Sequence, residues 1–148
     1  MAELFNNKVA ESGLLTIDLA SLLPSNEIIL FDIKPYLFKE LILKEKEFRA
    51  SLLSIDWSIY QDKIVGIVCS ADAIIPMWAN MLIVSSLHPF VKAVFFGDEN
   101  KVREQLLQES ISKINTEQYI DQRVVVKGCG ETPIGESAYI AITQKLRP

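Results

Sequence analysis

Residues 63–98 read KIVGIVCSADAIIPMWANMLIVSSLHPFVKAVFFGD, and this stretch decides the fold of the chain. The apolar run 64–68 is typical of a strand buried on both faces, as strands of parallel sheets are. Pro76 suits the first turn of a helix, and apolar residues then recur at helical spacing as far as Leu87. A second apolar run, 91–96, predicts the next strand. A strand, a helix and a strand with short links predict a right-handed βαβ unit with parallel strands.

The composition limits the classes of protein to which the chain can belong. A chain of 148 residues that is 49% hydrophobic can form a real core, and we expect a single α/β domain over residues 1–148. The net charge is −4 and no cluster of Lys and Arg occurs, which argues against nucleic acid as a partner. No apolar run reaches membrane length and the N-terminus lacks the apolar segment of a signal peptide. We therefore expect no membrane partner, a cytoplasmic location and two reduced cysteines.

Two further strands are expected before the central stretch. Residues 15–19 alternate between apolar and polar, which is typical of a half-buried strand, and residues 27–33 form a second apolar run. A turn-forming cluster at 23–26 separates them, so we expect the two strands to pair as an antiparallel hairpin at the sheet edge. The predicted fold class is α/β, a mostly parallel sheet flanked by helices, built from two related βα units with an N-terminal β-hairpin.

An internal repeat relates residues 45–89 to residues 104–148 at a shift of 59 positions. Eleven pairs are identical without a gap: Glu45/Glu104, Ser51/Ser110, Ile55/Ile114, Tyr60/Tyr119, Asp62/Asp121, Val65/Val124, Ile75/Ile134, Ala79/Ala138, Ile83/Ile142, Leu87/Leu146 and Pro89/Pro148. Several identities fall in connectors that the hydrophobic pattern does not require, so we interpret the match as a duplication; the alternative is a chance likeness of two α/β units. The second copy stops before a closing strand, and we expect a tail, a second copy of the chain or the N-terminal hairpin to cover that open sheet edge.

Three stretches carry a resemblance to a known family: VCSADAIIPMWANML (68–82), LILKEKEFR (41–49) and VVVKGCGETPI (124–134). They resemble an uncharacterised family of small bacterial proteins, classed as a domain of unknown function. The resemblance covers most of the chain from Gly13 onward. It implies that relatives continue past the position of Pro148 with another strand and a short Cys-containing tail, a pattern from which this sequence departs. The family has no established activity, so the resemblance supports the fold and implies no mechanism.

Candidate site residues follow the predicted strands, because ligands of open parallel sheets bind at the carboxyl ends of the strands. The three loops 69–75, 97–100 and 128–133 carry Cys69, Ser70, Asp72, Asp98, Cys129, Glu131 and Thr132. Cys69 and Cys129 are the candidate catalytic residues, since a helix N-terminus after each would favour the thiolate. The alternative is that each is a small apolar side chain at a strand end.

The polar members of these loops are candidates for a ligand-binding crevice: Ser70, Asp72, Asp98, Glu131 and Thr132. For Asp98 and Asp72 the simpler expectation is that each carboxylate caps the helix that follows it. The two cysteines are not spaced as a C-x-x-C pair, so we expect no metal site. Neither G-x-G-x-x-G nor G-x-x-x-x-G-K-[ST] is present, and we expect no cofactor.

His88 is the only histidine, and it limits the chemistry that the chain can perform. The predicted helix that it ends would place His88 at the opposite edge of the sheet from Cys69, which argues against a Cys–His or Ser–His–Asp site. We therefore expect a non-enzymatic domain that binds an unknown small molecule or protein, with homo-oligomerisation through the open sheet edge. The alternative is a thiol-dependent enzyme or redox protein that uses Cys69, with Cys129 as the resolving thiol.

Overall fold

A computed structural model of the chain describes residues 13–128 and 134–147. Within them, parallel strands form two sheets that are flanked by four helices, which confirms the α/β class. In chain order the elements are β1 (Leu14–Asp18), β2 (Ile28–Asp32), α1 (Glu45–Ser54), β3 (Ile64–Val68), α2 (Met77–Leu87), β4 (Ala93–Phe96), α3 (Glu99–Ser112), β5 (Arg123–Lys127) and α4 (Glu136–Leu146). Short 3-10 turns follow β1 and β2 and precede β3 and β5.

The chain divides into two compact units, and the boundary falls within α3, between Val102 and Arg103. The inner unit is the continuous stretch 25–102. The outer unit combines residues 1–24 with residues 103–148. The single domain expected from the sequence stays a prediction, and each unit is described below by itself.

The inner unit contains a three-stranded parallel sheet in the order β2-β3-β4. The expected strand–helix–strand order with parallel strands is confirmed, because β3 is the central strand and α2 joins it to its parallel neighbour β4. The right-handed crossover stays a prediction. Val65 and Ile67 are buried, as predicted, against a core that includes Phe31, Phe48 and Ile83. A sheet with an apolar face is stable only when helices cover that face, and α2 packs here through its buried residues Ala79, Ile83 and Leu87.

Gly66 lies at the middle of β3, on the face opposite Val65 and Ile67. A Cβ at this position would stand 2.5 Å from the Gly97 carbonyl oxygen and 2.8 Å from Cγ2 of Val102. The missing side chain therefore lets the loop after β4 and the start of α3 approach the sheet closely.

The outer unit contains the two-stranded parallel sheet of β1 and β5, with Leu14 opposite Arg123 and Asp18 opposite Lys127. Its core is built from β1, α3 and α4, with Ile17, Leu107 and Ile142 among its buried residues. At the shift of 59 residues, Val124 and Val126 of β5 correspond to Val65 and Ile67, and the repeat predicts that they are equally buried. They are only half-buried, because β5 pairs with a single strand among the described residues.

The predicted N-terminal hairpin is wrong. β1 pairs in parallel with β5, and β2 pairs in parallel with β3. The strands themselves were found from their patterns, but a pattern of alternation identifies a strand without naming its partner. The chain that leaves β1 does not form a hairpin loop either: the Asp18 carboxylate accepts a hydrogen bond from the Ala20 N–H at 3.1 Å and starts the 3-10 turn Leu19–Leu22.

The two units have matching local structure at the shift of 59 residues. The 3-10 turn Trp57–Tyr60 corresponds to Thr116–Tyr119. Each turn is capped by the side chain before it, Asp56 in one copy and Asn115 in the other. The residue pair Asp62 and Asp121 shares a left-handed backbone, with φ of 61° and 57°. The duplication stays a prediction, and these are the local features that it accounts for.

Candidate functional site

A cavity of about 600 Å³ lies at the carboxyl edge of the inner unit's sheet. Each strand supplies a wall residue at or just after its end, because the three strands are parallel and end at the same edge. The wall residues are Ile33 after β2, Cys69 after β3 and Phe96 at the end of β4. Helix α2 adds Met77 and Asn80. The site has the size and the mainly apolar lining of pockets that hold small molecules.

Cys69 is a free, half-buried thiol in the wall of this cavity. Its Sγ lies 3.5 Å from the Ala71 carbonyl oxygen, to which the thiol donates a weak hydrogen bond. No other hydrogen bond of Cys69 occurs within residues 13–128 and 134–147. The thiol therefore has a carbonyl oxygen as its partner, and no basic side chain of the described residues is hydrogen-bonded to it.

Asn80 is a residue that the sequence interpretation did not select. It lies in the wall of the cavity, and its Oδ1 is buried without a hydrogen-bond partner in the part of the chain that the structure describes. A buried polar atom without a partner costs about 1–3 kcal/mol, so such atoms are rare in folded proteins. The sequence feature that could have identified Asn80 is its position as the one amide in the otherwise apolar first half of α2, Met77 to Ile83.

Asp32 is a second residue that the sequence interpretation missed. Its carboxylate accepts hydrogen bonds from the Ser70 N–H at 3.0 Å, the Ser70 hydroxyl at 2.5 Å and the Lys34 N–H at 3.0 Å. Burial acts to raise the pKa of Asp32, but these hydrogen bonds outweigh it and hold the pKa below its ordinary value. The sequence feature that could have identified Asp32 is its position as an acidic residue at the end of β2, the strand beside β3.

Ser70 and Asp98 were candidate ligand-binding residues, and both have structural partners. Ser70 is tied to Asp32 and does not line the cavity, although it follows Cys69 directly. Asp98 lies at the same sheet edge, and its carboxylate accepts a hydrogen bond from the Lys101 N–H at 2.9 Å. The expectation that Asp98 caps the following helix is thus confirmed.

Asp72 does not cap a helix, and that expectation is wrong. Helix α2 begins at Met77 with Pro76 before it, because a proline fixes the start of the helix and leaves Asp72 five residues upstream of that start. Asp72 is exposed and lines a neighbouring cavity of about 400 Å³ together with Leu41 and Ile42. The candidates Cys129, Glu131 and Thr132 lie outside the described residues.

His88 is exposed at the C-terminal end of α2, where its backbone N–H donates to the Val84 carbonyl oxygen at 2.8 Å. The cavity contacts the first turn of the same helix, at Met77 and Asn80. The cavity and the histidine therefore lie towards opposite ends of α2, as expected. Within the described ranges, no three His, Cys, Asp or Glu residues are grouped as metal ligands would be. No helix in those ranges is long and apolar enough to cross a membrane.

Comparison with known families matches residues 3–148 to the family described as a protein of unknown function, DUF2480. The chain belongs to this family. The match spans nearly the whole sequence, so the resemblance expected from the three stretches at 41–49, 68–82 and 124–134 is confirmed. No curated protein and no solved structure matches the chain. The family description assigns no activity, and the proposals below rest on the geometry of the site.

Proposed function

We propose that the inner unit binds a small, largely apolar molecule that carries one hydrogen-bond donor, in the cavity between Cys69, Asn80 and Phe96. The observation that supports this most directly is a cavity of about 600 Å³ with a mainly apolar wall that includes Asn80, whose side-chain Oδ1 is buried and has no partner among the described residues. If the Asn80 side chain turns towards the cavity, a donor group there gives the amide oxygen the partner that it lacks. The apolar remainder of the molecule is removed from water against Ile33 and Ile75.

The rim of the cavity is consistent with an entrance for such a molecule. Met77 is 80% exposed and Phe96 is 67% exposed, so both apolar side chains border solvent at the mouth. Met has an unbranched, polarizable side chain that adapts to ligands of different outline. A small molecule that enters covers part of this apolar surface as well as the cavity wall.

The alternative function is a thiol-dependent enzyme or redox protein using Cys69 with Cys129. Two features weigh against it in the described part of the chain. The Cys69 thiol is bonded to a carbonyl oxygen, and the exposed His88 lies towards the far end of α2. We therefore propose a binding function without catalysis, in the cytoplasm, where a free cysteine such as Cys69 is stable.

The binding proposal is tested by thermal unfolding in the presence of a panel of compounds of about 6–12 heavy atoms. The panel pairs hydroxyl- and amine-bearing compounds, both aliphatic and aromatic, with hydrocarbons of the same carbon frame. A ligand that binds only the folded state raises the unfolding temperature. We expect at least one donor-bearing compound to do so more than its hydrocarbon counterpart.

A variant with a filled cavity gives the control. Ala73→Phe places a ring into the cavity wall and should abolish the temperature shift. Ser85→Ala changes an exposed residue of the same helix outside this cavity and should leave the shift unchanged. If no compound shifts the unfolding temperature, or if Ala73→Phe responds as the unmodified protein does, the binding proposal is wrong.

A further inference from the structure

The inner unit contains a second cavity, of about 400 Å³, to which Asp72 contributes. Its wall comes from two segments: residues 41–43, which precede α1, and the loop between β3 and α2, which supplies Asp72, Ala73, Ile74 and Pro76. Every wall residue except Asp72 is apolar. The volume lies in the range of pockets that hold small molecules.

Three large apolar side chains of this wall are in contact with water. Ile74 is 93% exposed, Leu41 is 61% exposed and Ile42 is 57% exposed. A closed turn presents Leu41 and Ile42, because Phe38 and Ile42 exchange backbone hydrogen bonds of 2.7 and 3.1 Å. Exposed apolar side chains that are grouped in this way mark a place where a ligand or a partner binds.

Asp72 is the one charged residue in the wall of this cavity. Its carboxylate has neither a hydrogen bond nor an ion pair among the described residues. Lysines of the neighbouring turn have other partners: Nζ of Lys44 lies 3.7 Å from the centre of the Phe38 ring, and Lys34 pairs with Glu40 at 3.7 Å. A cation that enters the cavity therefore meets a carboxylate that these lysines do not neutralise.

We infer that this cavity is a second binding site, which takes a small aliphatic amine and does not depend on the function proposed for the cavity between Cys69 and Phe96. The alkyl chain of the amine is removed from water against Leu41, Ile42 and Ile74. Its ammonium group donates a charge-assisted hydrogen bond to the Asp72 carboxylate. An anion or a sugar finds no matching group here, because the wall has no cation and no polar side chain other than Asp72.

Binding of hexylamine, hexanol and hexanoate to the full chain tests the inference, since the three compounds share an alkyl chain and differ in the head group. The amides of Ile42, Leu43 and Ile74 belong to this cavity and not to the other one, and they should shift in NMR titrations. At low ionic strength, we expect hexylamine to bind about twofold to fivefold more tightly than hexanol, the value of an exposed ion pair. Added salt should reduce this preference, and hexanoate should bind most weakly.

Four variants locate the head group and the alkyl chain. Asp72→Asn should bind hexylamine and hexanol equally, whereas Asp72→Glu retains the charge and should retain the preference for the amine. Ile74→Ser changes a side chain that is almost fully exposed, so the fold is retained and both compounds should bind more weakly by the same factor. Glu109→Gln removes an exposed carboxylate outside this cavity and should bind both compounds as the unmodified protein does.

The outcomes separate this site from the first cavity and from a protein partner. If hexylamine fails to shift Ile42, Leu43 and Ile74, or if Asp72→Asn retains the preference for the amine, the inference is wrong. If hexylamine shifts only Ala71 and Asn80, the amine binds in the first cavity, so the second site is overturned while the proposed function stands. If Nα-acetyl-lysine methylamide binds more tightly than hexylamine, the occupant is a lysine of a protein partner and the assignment to a small amine is overturned.

Discussion

The Asp32 carboxylate holds Ser70 by two hydrogen bonds, one from its backbone N–H at 3.0 Å and one from its hydroxyl at 2.5 Å. Asp32 ends β2 and Ser70 follows β3, so the carboxylate joins the chain at the ends of two neighbouring strands. Cys69 lies directly before Ser70 in the cavity wall. The link therefore fixes the backbone from which the cysteine side chain enters the cavity.

Removing this carboxylate should destabilise the protein in a pH-dependent way. Asp32→Asn weakens the hydrogen bonds from Ser70, and we expect a loss of about 0.5–1.5 kcal/mol in the free energy of unfolding at pH 7. Because the pKa of folded Asp32 lies below its ordinary value, the stabilisation is present above the unfolded pKa and is lost as the pH falls through the folded pKa. Urea unfolding at pH 7 and at pH 3 measures the loss of stability at neutral pH and its dependence on pH.

The exposed Asp72 provides the matched control for that experiment, since Asp72→Asn removes a carboxylate without a hydrogen bond in the described structure. We expect its effect on stability at pH 7 to lie within about 0.5 kcal/mol of zero. A gap between Asp32→Asn and the unmodified protein that persists unchanged at pH 3 would contradict the proposed role of the carboxylate.

The central strand should be the most sensitive part of the inner core. Ile67 is 2% exposed on β3, and Ile67→Ala should cost about 2–5 kcal/mol. Val126, its repeat mate on β5, is half-buried, so Val126→Ala should cost less than half as much. Chemical denaturation of both variants measures the difference. A loss below about 1 kcal/mol for Ile67→Ala would mean that β3 is not the centre of the core.

The Cys69 thiol should react slowly. It is half-buried and bonded to the Ala71 carbonyl oxygen, so we expect iodoacetamide at pH 7 to alkylate it no faster than free cysteine. A Cys129→Ser background isolates the signal, and unfolding in urea should raise the rate. Alkylation of folded Cys69 that is about tenfold faster than free cysteine would favour the thiol-dependent alternative.

The left-handed residues Asp62 and Asp121 test whether the two copies have equivalent local structure. Asp62 and Asp121 adopt φ of 61° and 57°, which costs a side chain with a Cβ about 1–2 kcal/mol unless it is Asp or Asn. We expect Asp62→Ala and Asp121→Ala each to destabilise the protein by about 1 kcal/mol, while the glycine variants stay within about 0.5 kcal/mol of the original. Opposite signs at the two positions in thermal unfolding would argue against equivalent roles.

We propose that a second copy of the chain associates at the edge of β5 that no described strand covers. Among the described strands β5 pairs only with β1, and a cavity of about 280 Å³ lies beside Val124, Val126 and Ile142. A strand edge that is unpaired among the described residues favours pairing with another strand. Light scattering during size-exclusion chromatography should give twice the monomer mass at about 100 µM. A monomer mass throughout the concentration range would contradict this proposal.

Most of the fold could be predicted from the sequence, because hydrophobic patterns indicate which residues are buried. The continuous run 64–68 correctly indicated a central parallel strand, and Pro76 and Leu87 marked the helix after it within a residue. The partner of each strand could not be predicted from the sequence, because strand pairing depends on contacts between residues far apart in the chain. For that reason β1 was assigned to β2, when its partner β5 lies near the other end of the sequence.

The candidate site could be predicted from the sequence only in part. Cys69 was identified from its place after a buried strand, and the cavity wall contains it. The acidic candidates were chosen for their chemistry, yet Asp98 serves as a helix cap and Asp72 borders another cavity. Asn80 was overlooked because a single amide within an apolar helix has no recognisable motif. Its significance lies in what surrounds its oxygen, which is a property of the folded chain and not of the local sequence.

The two paired strands of the outer unit, β1 and β5, are synthesised at different stages of translation. Leu14 on β1 and its partner Arg123 on β5 are separated by about 110 residues, and the whole continuous stretch 25–102 lies between them. A ribosome therefore releases all of the inner unit while β1 still has no strand to join. Folding of the inner unit first shortens the loop that β1 and β5 must close, which lowers its entropic cost. We expect the inner unit to fold during synthesis and the sheet of β1 and β5 to form last.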